Sequence, residues 1–236
     1  MSKQQQRREF LKISAAASTG FWVAGGTPLK ASTSANEVIR WACVGVGGKG
    51  TSDSNDAARH GDIVGICDID EGNLAKASGK WPKAQKFFDY RKMIDQLGDN
   101  VDAITVSTPD HNHGPAAVLS LKAGKHTFTQ KPLTHTIEEA RRLSDLAKEA
   151  GVQTQMGNQG TASSNLRRSA ALLRSGIVGK VKEVHVWTNR PVWPQGGGRP
   201  TDTPEVPAHI HWNEFLGPAK FRPYNPAYTP FKWRGW

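Results

Sequence analysis

The sequence predicts an α/β fold built on a doubly wound parallel sheet. Three observations predict it. Short apolar runs alternate with helical stretches between residues 39 and 156, a glycine-rich turn follows the first run, and an acid closes the second. Parallel neighbours need crossover connections, so this alternation specifies a sheet covered by helices on both faces.

In order, Ile39–Val46 reads as a strand ending in glycines, Thr51–Arg59 as a helix and Ile63–Cys67 as the second strand. Glu71–Gly79 is predicted helical, Ala84–Phe88 a short strand, Tyr90–Leu97 a helix, and Val101–Val106 a strand apolar but for Asp102 and Thr105. Pro115–Ala123, His126–Thr129, Ile137–Ala150 and Val152–Met156 continue as helix, strand, amphipathic helix and last strand. Together they define a domain over residues 37–157. Beyond it, Ala162–Ser175 is predicted as a helix and Val181–Asn189 as a strand, with Glu183, His185, Trp187 and Asn189 on one face and Val184 and Val186 on the other.

Residues 191–230 hold nine of the fourteen prolines, and residues 181–236 hold ten of the nineteen aromatics. That stretch is too proline-rich for regular elements and too aromatic for a linker, so ordered loop packed on something is expected. The final run Phe231–Trp236 looks cut, and the aromatics before it are expected to expose apolar surface.

The net charge of +10 suggests a nucleic-acid partner until its distribution is read. Residues 36–160 hold fifteen Lys/Arg against sixteen Asp/Glu, so the excess lies at the two ends. No zinc-finger spacing or RNA-binding aromatic signature accompanies it, and no nucleic-acid partner is expected. Cys43 and Cys67 lie in neighbouring apolar runs and read as small buried hydrophobes, with no metal site expected. No stretch is long and apolar enough for a permanent membrane span.

Residues 1–35 read as a leader. Arg7-Arg8 precedes Phe10-Leu11-Lys12, a short apolar segment reaches Gly26, and small residues run from Ala31 to Ala35. This resembles a twin-arginine signal peptide and predicts export to the periplasm with cleavage after Ala35.

Gly45-Val46-Gly47-Gly48-Lys49-Gly50 fits G-x-G-x-x-G between a strand and a helix, and Asp68 lies 18 residues beyond Gly50. This spacing is that of a dinucleotide-binding Rossmann domain. Gly45 permits the tight turn, Gly47 lets the backbone approach a pyrophosphate, and Gly50 allows close helix packing. The helix start offers free N–H groups to phosphate. Asp68, followed by Ile69, would accept from the adenosine ribose hydroxyls and repel a 2′-phosphate, favouring NAD over NADP. Lys49 reads as a solvated loop cation beside the phosphates.

Two further stretches complete the pattern: Ser107-Thr108-Pro109-Asp110-His111-Asn112-His113 and Thr129-Gln130-Lys131-Pro132-Leu133. With the glycine loop and Arg174–Val181, they resemble the Gfo/Idh/MocA oxidoreductases over residues 39–190. Members show T-P-x-x-x-H after the fourth strand and E-K-P after the fifth. The resemblance implies an α+β second domain with a mostly antiparallel sheet, of which residues 158–236 are the start, and a homo-oligomer when full length. It places Ser107, Thr108, Pro109, His111, His113, Gln130 and Lys131 at the cofactor, with Lys131 as the catalytic residue. Trp187, Asn189 and Arg190 become candidates for the substrate, a sugar or polyol. The family's glutamate before lysine is Gln130 here, so that position brings no negative charge.

Oxidising a carbinol needs a group that takes the hydroxyl proton as hydride leaves, and a lysine serves if burial and the nicotinamide cation lower its pKa. A glycosidase that uses NAD transiently needs the same hydride chemistry, and a nucleotide- or sugar-binding protein without turnover is a third reading. The chain as it stands is expected to bind cofactor and to lack turnover.

Overall fold

The computed structural model describes residues 38–193 and 195–235. The expected leader lies outside them. Along the chain come β1 (Ile39–Val44), α1 (Lys49–Ala57), β2 (Gly61–Cys67), α2 (Glu71–Lys80), β3 (Gln85–Phe87) and α3 (Tyr90–Leu97). Then follow β4 (Ala103–Val106), α4 (His113–Lys122), β5 (His126–Gln130), α5 (Ile137–Ala150) and β6 (Thr154–Gly157). All strand pairings are parallel, and the sheet order is β3-β2-β1-β4-β5-β6. The order reverses between β1 and β4, which opens a crevice outside the carboxyl ends of these strands.

The two-residue period of β1 sends its side chains into two separate cores. Ala42 and Val44 pack with Met93, Ile94 and Leu97 of α3 and with Ile104 and Val106 of β4. Cys43 faces the other way, toward Ala57, Ile63, Ile66, Leu74 and Ala77. Both cysteines are buried and free. A third apolar layer holds Ala117 and Leu121 of α4 against Leu143 and Leu146 of α5.

Helix starts coincide with side-chain acceptors. Asp70 accepts from Gly72 N–H, Asp89 from Arg91 N–H, and Thr136 with Glu139 forms a reciprocal capping box at α5. Gly151, at φ 65°, ends α5 in the left-handed conformation. Among the described residues, no helix is long and apolar enough to cross a membrane.

Three expectations are corrected beyond β6. The helix predicted over 162–175 forms two residues later, as α7 (Ser164–Arg174), and is preceded by a short helix the sequence did not announce, α6 (Gln159–Ala162). Ser163 between them is extended and caps the second by accepting from Leu166 N–H. The strand predicted over 181–189 does not form: those residues carry no ladder and are exposed. A strand exists only with a neighbour to bond, and the described residues supply none there.

Several aromatics farther on are covered, contrary to expectation, while Phe221 and Phe231 stay exposed. A strap built around α8 (Trp212–Leu216) docks on the sheet domain. Ile210 bridges Asp70 antiparallel, Glu71 N–H donates to His209 O, and His211 N–H donates to Ile69 O. Trp212, Phe215, Leu216, Tyr224 and Tyr228 bury one another around Ile69. The His211 ring stacks on Phe88 at 3.9 Å between centroids.

Candidate nucleotide site

The glycine loop leaves β1 at Gly45, whose φ of 79° is left-handed and whose N–H donates to Cys67 O at 2.7 Å. A Cβ there would lie 2.7 Å from the Ser107 carbonyl oxygen, and one at Gly50 would strike the Gly45 carbonyl. These glycines let the loop pass against the backbone that follows β4 while α1 starts directly above it. Gly48 caps α1 without a capping side chain, and the first turn contains no acid. The helix start thus keeps free N–H groups and meets an anion without repulsion, which fits a pyrophosphate.

Asp68 stands at the end of β2, nearly buried. Its Oδ2 accepts from Val46 N–H at 2.9 Å and Gly47 N–H at 3.0 Å. Its Oδ1 accepts from Asp70 N–H at 3.0 Å and, at 3.3 Å, from the Asn73 amide. Burial pushes its pKa above the ordinary aspartate value, and these hydrogen bonds work against that rise. The same carboxylate therefore braces the glycine loop from the end of β2. A ribose hydroxyl would compete first with Asn73, whose bond is the longest.

Sequence reasoning missed Asp53. It lies on α1, is buried, and collects three donors. Ser107 Oγ and Gln130 Nε2 donate to its Oδ2 at 2.7 and 2.8 Å, and Lys49 Nζ pairs with its Oδ1 at 2.7 Å. Lys49 also donates to Ser52 Oγ, so its cation is anchored to α1 instead of being free in solvent. Gln130 accepts from Lys131 N–H at 3.3 Å.

Of the other candidates, Thr108 and Pro109 continue the loop after Ser107. His113 is buried beneath it, with Nδ1 2.6 Å from Pro132 O and Nε2 2.8 Å from Thr108 O. The ring thus spans the two loops from below and reaches a ligand only through them. His111 turns toward the strap, with Nε2 2.7 Å from Phe215 O, and Ile69 packs under the strap's aromatics. Lys131 is exposed, so the burial expected for it is not supplied by the described residues. Trp187, Asn189 and Arg190 stand exposed on the unpaired run, outside this cluster, with the Arg190 guanidinium over the Trp193 ring.

A parallel sheet with a helix start free of side-chain caps after its first strand and an acid after its second is a dinucleotide-binding domain. The oxidoreductase family with an NAD-binding Rossmann fold, Gfo/Idh/MocA, matches residues 39–158, and the chain belongs to that family. NAD is accordingly its cofactor.

The chain is 30% identical over 136 residues to the uncharacterized oxidoreductase YdgJ of Escherichia coli, covering 55% of this chain and 39% of that protein. It is also 30% identical over 123 residues to an alpha-N-acetylgalactosaminidase of Shewanella oneidensis, covering 48% of this chain and 26% of the other. Among solved structures, the WlbA dehydrogenase of Bordetella pertussis, in complex with NADH and UDP-GlcNAcA, superposes with a TM-score of 0.52 at 25% identity. That likeness covers 61% of this chain and 42% of the dehydrogenase. The chain thus spans well under half the length of these relatives.

Proposed function

We propose that this protein is an NAD-dependent oxidoreductase that moves hydride between the nicotinamide ring and a carbinol of a sugar or polyol. The observation that carries this reading is that the helix start following the glycine loop, the loop at Ser107 and the end of β5 at Gln130 meet at one buried carboxylate, Asp53. These points follow β1, follow β4 and end β5, at the crevice where open α/β sheets take their ligands. Bound NAD supplies the hydride acceptor. Asp68 orients the ribose end, the start of α1 holds the phosphates, and Lys131 takes or returns the hydroxyl proton. The UDP-GlcNAcA held by the Bordetella dehydrogenase supports a sugar-like substrate.

A second reading has its own support. Likeness to the Shewanella alpha-N-acetylgalactosaminidase favours a glycosidase that oxidises and re-reduces its substrate on a retained NAD. The Arg7-Arg8 pattern favours this second reading, because we place the protein outside the cytoplasm, where a cofactor that recycles in place needs no supply.

Substitution tests the first reading. Lys131→Met is expected to lower sugar- or polyol-dependent NADH formation about 10²–10⁴-fold while NADH affinity holds, as for loss of a general acid–base group. A fall of less than about tenfold removes Lys131 from the chemistry. Release of aglycone from aryl glycosides without net NADH would favour the glycosidase.

A further inference from the structure

Asp53 has no counterpart in the roles assigned so far, yet it is the most heavily bonded buried carboxylate at the crevice after Asp68. It lies on the buried side of α1 with Gly50, Ser54 and Ala57. Its Oδ2 faces the Ser107 hydroxyl and the Gln130 amide, and its Oδ1 faces the Lys49 ammonium. The three donors come from the start of α1 itself, from the loop after β4 and from the end of β5. Gln130 is buried, and its carboxamide lies close against Gly157 of β6, which limits the ways the amide can turn. Its Nε2 is spent on Asp53 and its Oε1 on the backbone of Lys131.

We propose that Asp53 is a positioning residue, which through Gln130 fixes the loop bearing Lys131 against the glycine loop. The inference rests on the reading that these loops hold NAD. Its physical content is a constraint on charge. The pocket between α1, β4 and β5 holds one negative charge, and it sits at 53. A glutamate at 130 would put a second carboxylate within hydrogen-bond distance of the first in a buried setting, where like charges disfavour one another strongly. The amide turns that repulsion into a charge-assisted hydrogen bond. Glutamine at 130 and aspartate at 53 therefore form a matched pair, and the pair, not either residue alone, sets the spacing of the two loops. The Lys49 ammonium pairs with the same carboxylate from the start of α1.

The test is a double-mutant cycle in the full chain, read by NADH fluorescence titration and by thermal melting. Gln130→Glu is expected to weaken NADH binding about tenfold or more, and Asp53→Asn a few-fold. The double variant returns the single charge to the pocket, now at 130, with an amide donor at 53. It should bind NADH within about threefold of the parent. Additive losses in the double variant overturn the proposal. So does a cycle in which only the melting temperature moves and the folded variants bind NADH as the parent does, since that is support without positioning. If Gln130→Glu does not fold, Gln130→Met takes its place: Asp53→Asn must then cost no further affinity, and an independent loss overturns the proposal. Absence of NADH binding by the parent chain would instead sink the nucleotide reading itself.

Discussion

Asp68 shows how one side chain serves the fold and the ligand together. Its carboxylate accepts from Val46 and Gly47 on one oxygen and from Asp70 and Asn73 on the other. On the proposed reading it also presents negative charge to a 2′-phosphate. Asp68→Ala is therefore expected to cost about 1.5–3 kcal/mol of NADH affinity, the range for a lost hydrogen bond to a charged group. It should also relax discrimination against NADPH. An unchanged NADH/NADPH affinity ratio would show that another residue makes the choice. The pH dependence has a definite sign. Burial raises this pKa above 3.8, so the carboxylate takes up its proton at milder acidity than a solvated aspartate. NADH affinity should decline on the acid side of neutrality before pH 3.8 is reached, and the alanine variant should lack that limb. Asp68 was legible in the sequence because strand, glycine loop and acid have fixed spacing. Asp53 was not. Its helix buries Gly50, Asp53, Ser54 and Ala57, a sound i, i+3, i+4, i+7 pattern carried by residues that hydropathy does not register.

Among the elements, those with local start and stop signals were read to the residue, and those held by distant contacts were not. Tyr90–Leu97 follows Asp89, and Ile137–Ala150 runs from the Thr136 capping box to Gly151. The strap around α8 has no periodicity to read. It is fixed by backbone bonds from His209 and His211 to residues 69 and 71, by the Phe215 carbonyl on His111, and by aromatic packing. One of these contacts is titratable. Burial lowers the pKa of His111 below 6.5, partly opposed by the Phe215 carbonyl and by Asp110, while His113 and His135 add to the lowering. A released ring regains its ordinary value, so proton uptake favours release. Docking is then complete above pH 6.5, weakens as the pH falls toward the docked pKa, and levels off below it. Fluorescence of Trp212 and Trp233 followed across pH 6.5 should report that loosening, and His111→Gln should flatten the response. An equal pH response in the variant would place the titrating group elsewhere.

At the scale of the whole molecule, the described residues divide into a well-covered sheet domain and an uncovered stretch. The two faces of β1 and β2 are closed by α1, α2, α3 and α4. Between α1 and β6, however, a groove of about 650 Å³ stays open, lined by Trp41, Ala57, Phe128 and Met156 among others. From α7 onward the apolar side chains find little to pack on: Val186 is 90% exposed and Trp187 85%, with Ile177, Val178 and Val184 also in solvent. Ile177 and Val178 sit in the turn after α7, whereas Val184, Val186 and Trp187 lie on a run with no ladder partner among the described residues, an arrangement open to pairing with another chain. Contiguous apolar surface of this kind is more than a soluble monomer normally presents. The 236-residue chain is therefore expected to self-associate through residues 177–187 while its sheet domain continues to bind NADH. Light scattering on the purified chain should show species larger than a monomer, and Val184→Asp with Val186→Asp should reduce them without changing NADH affinity. Both substitutions lie outside the sheet domain and add charge to an edge, a change that opposes pairing. A monodisperse, monomeric parent chain would mean that the exposed run is covered in solution, and unchanged scattering in the double variant would place the association at another surface.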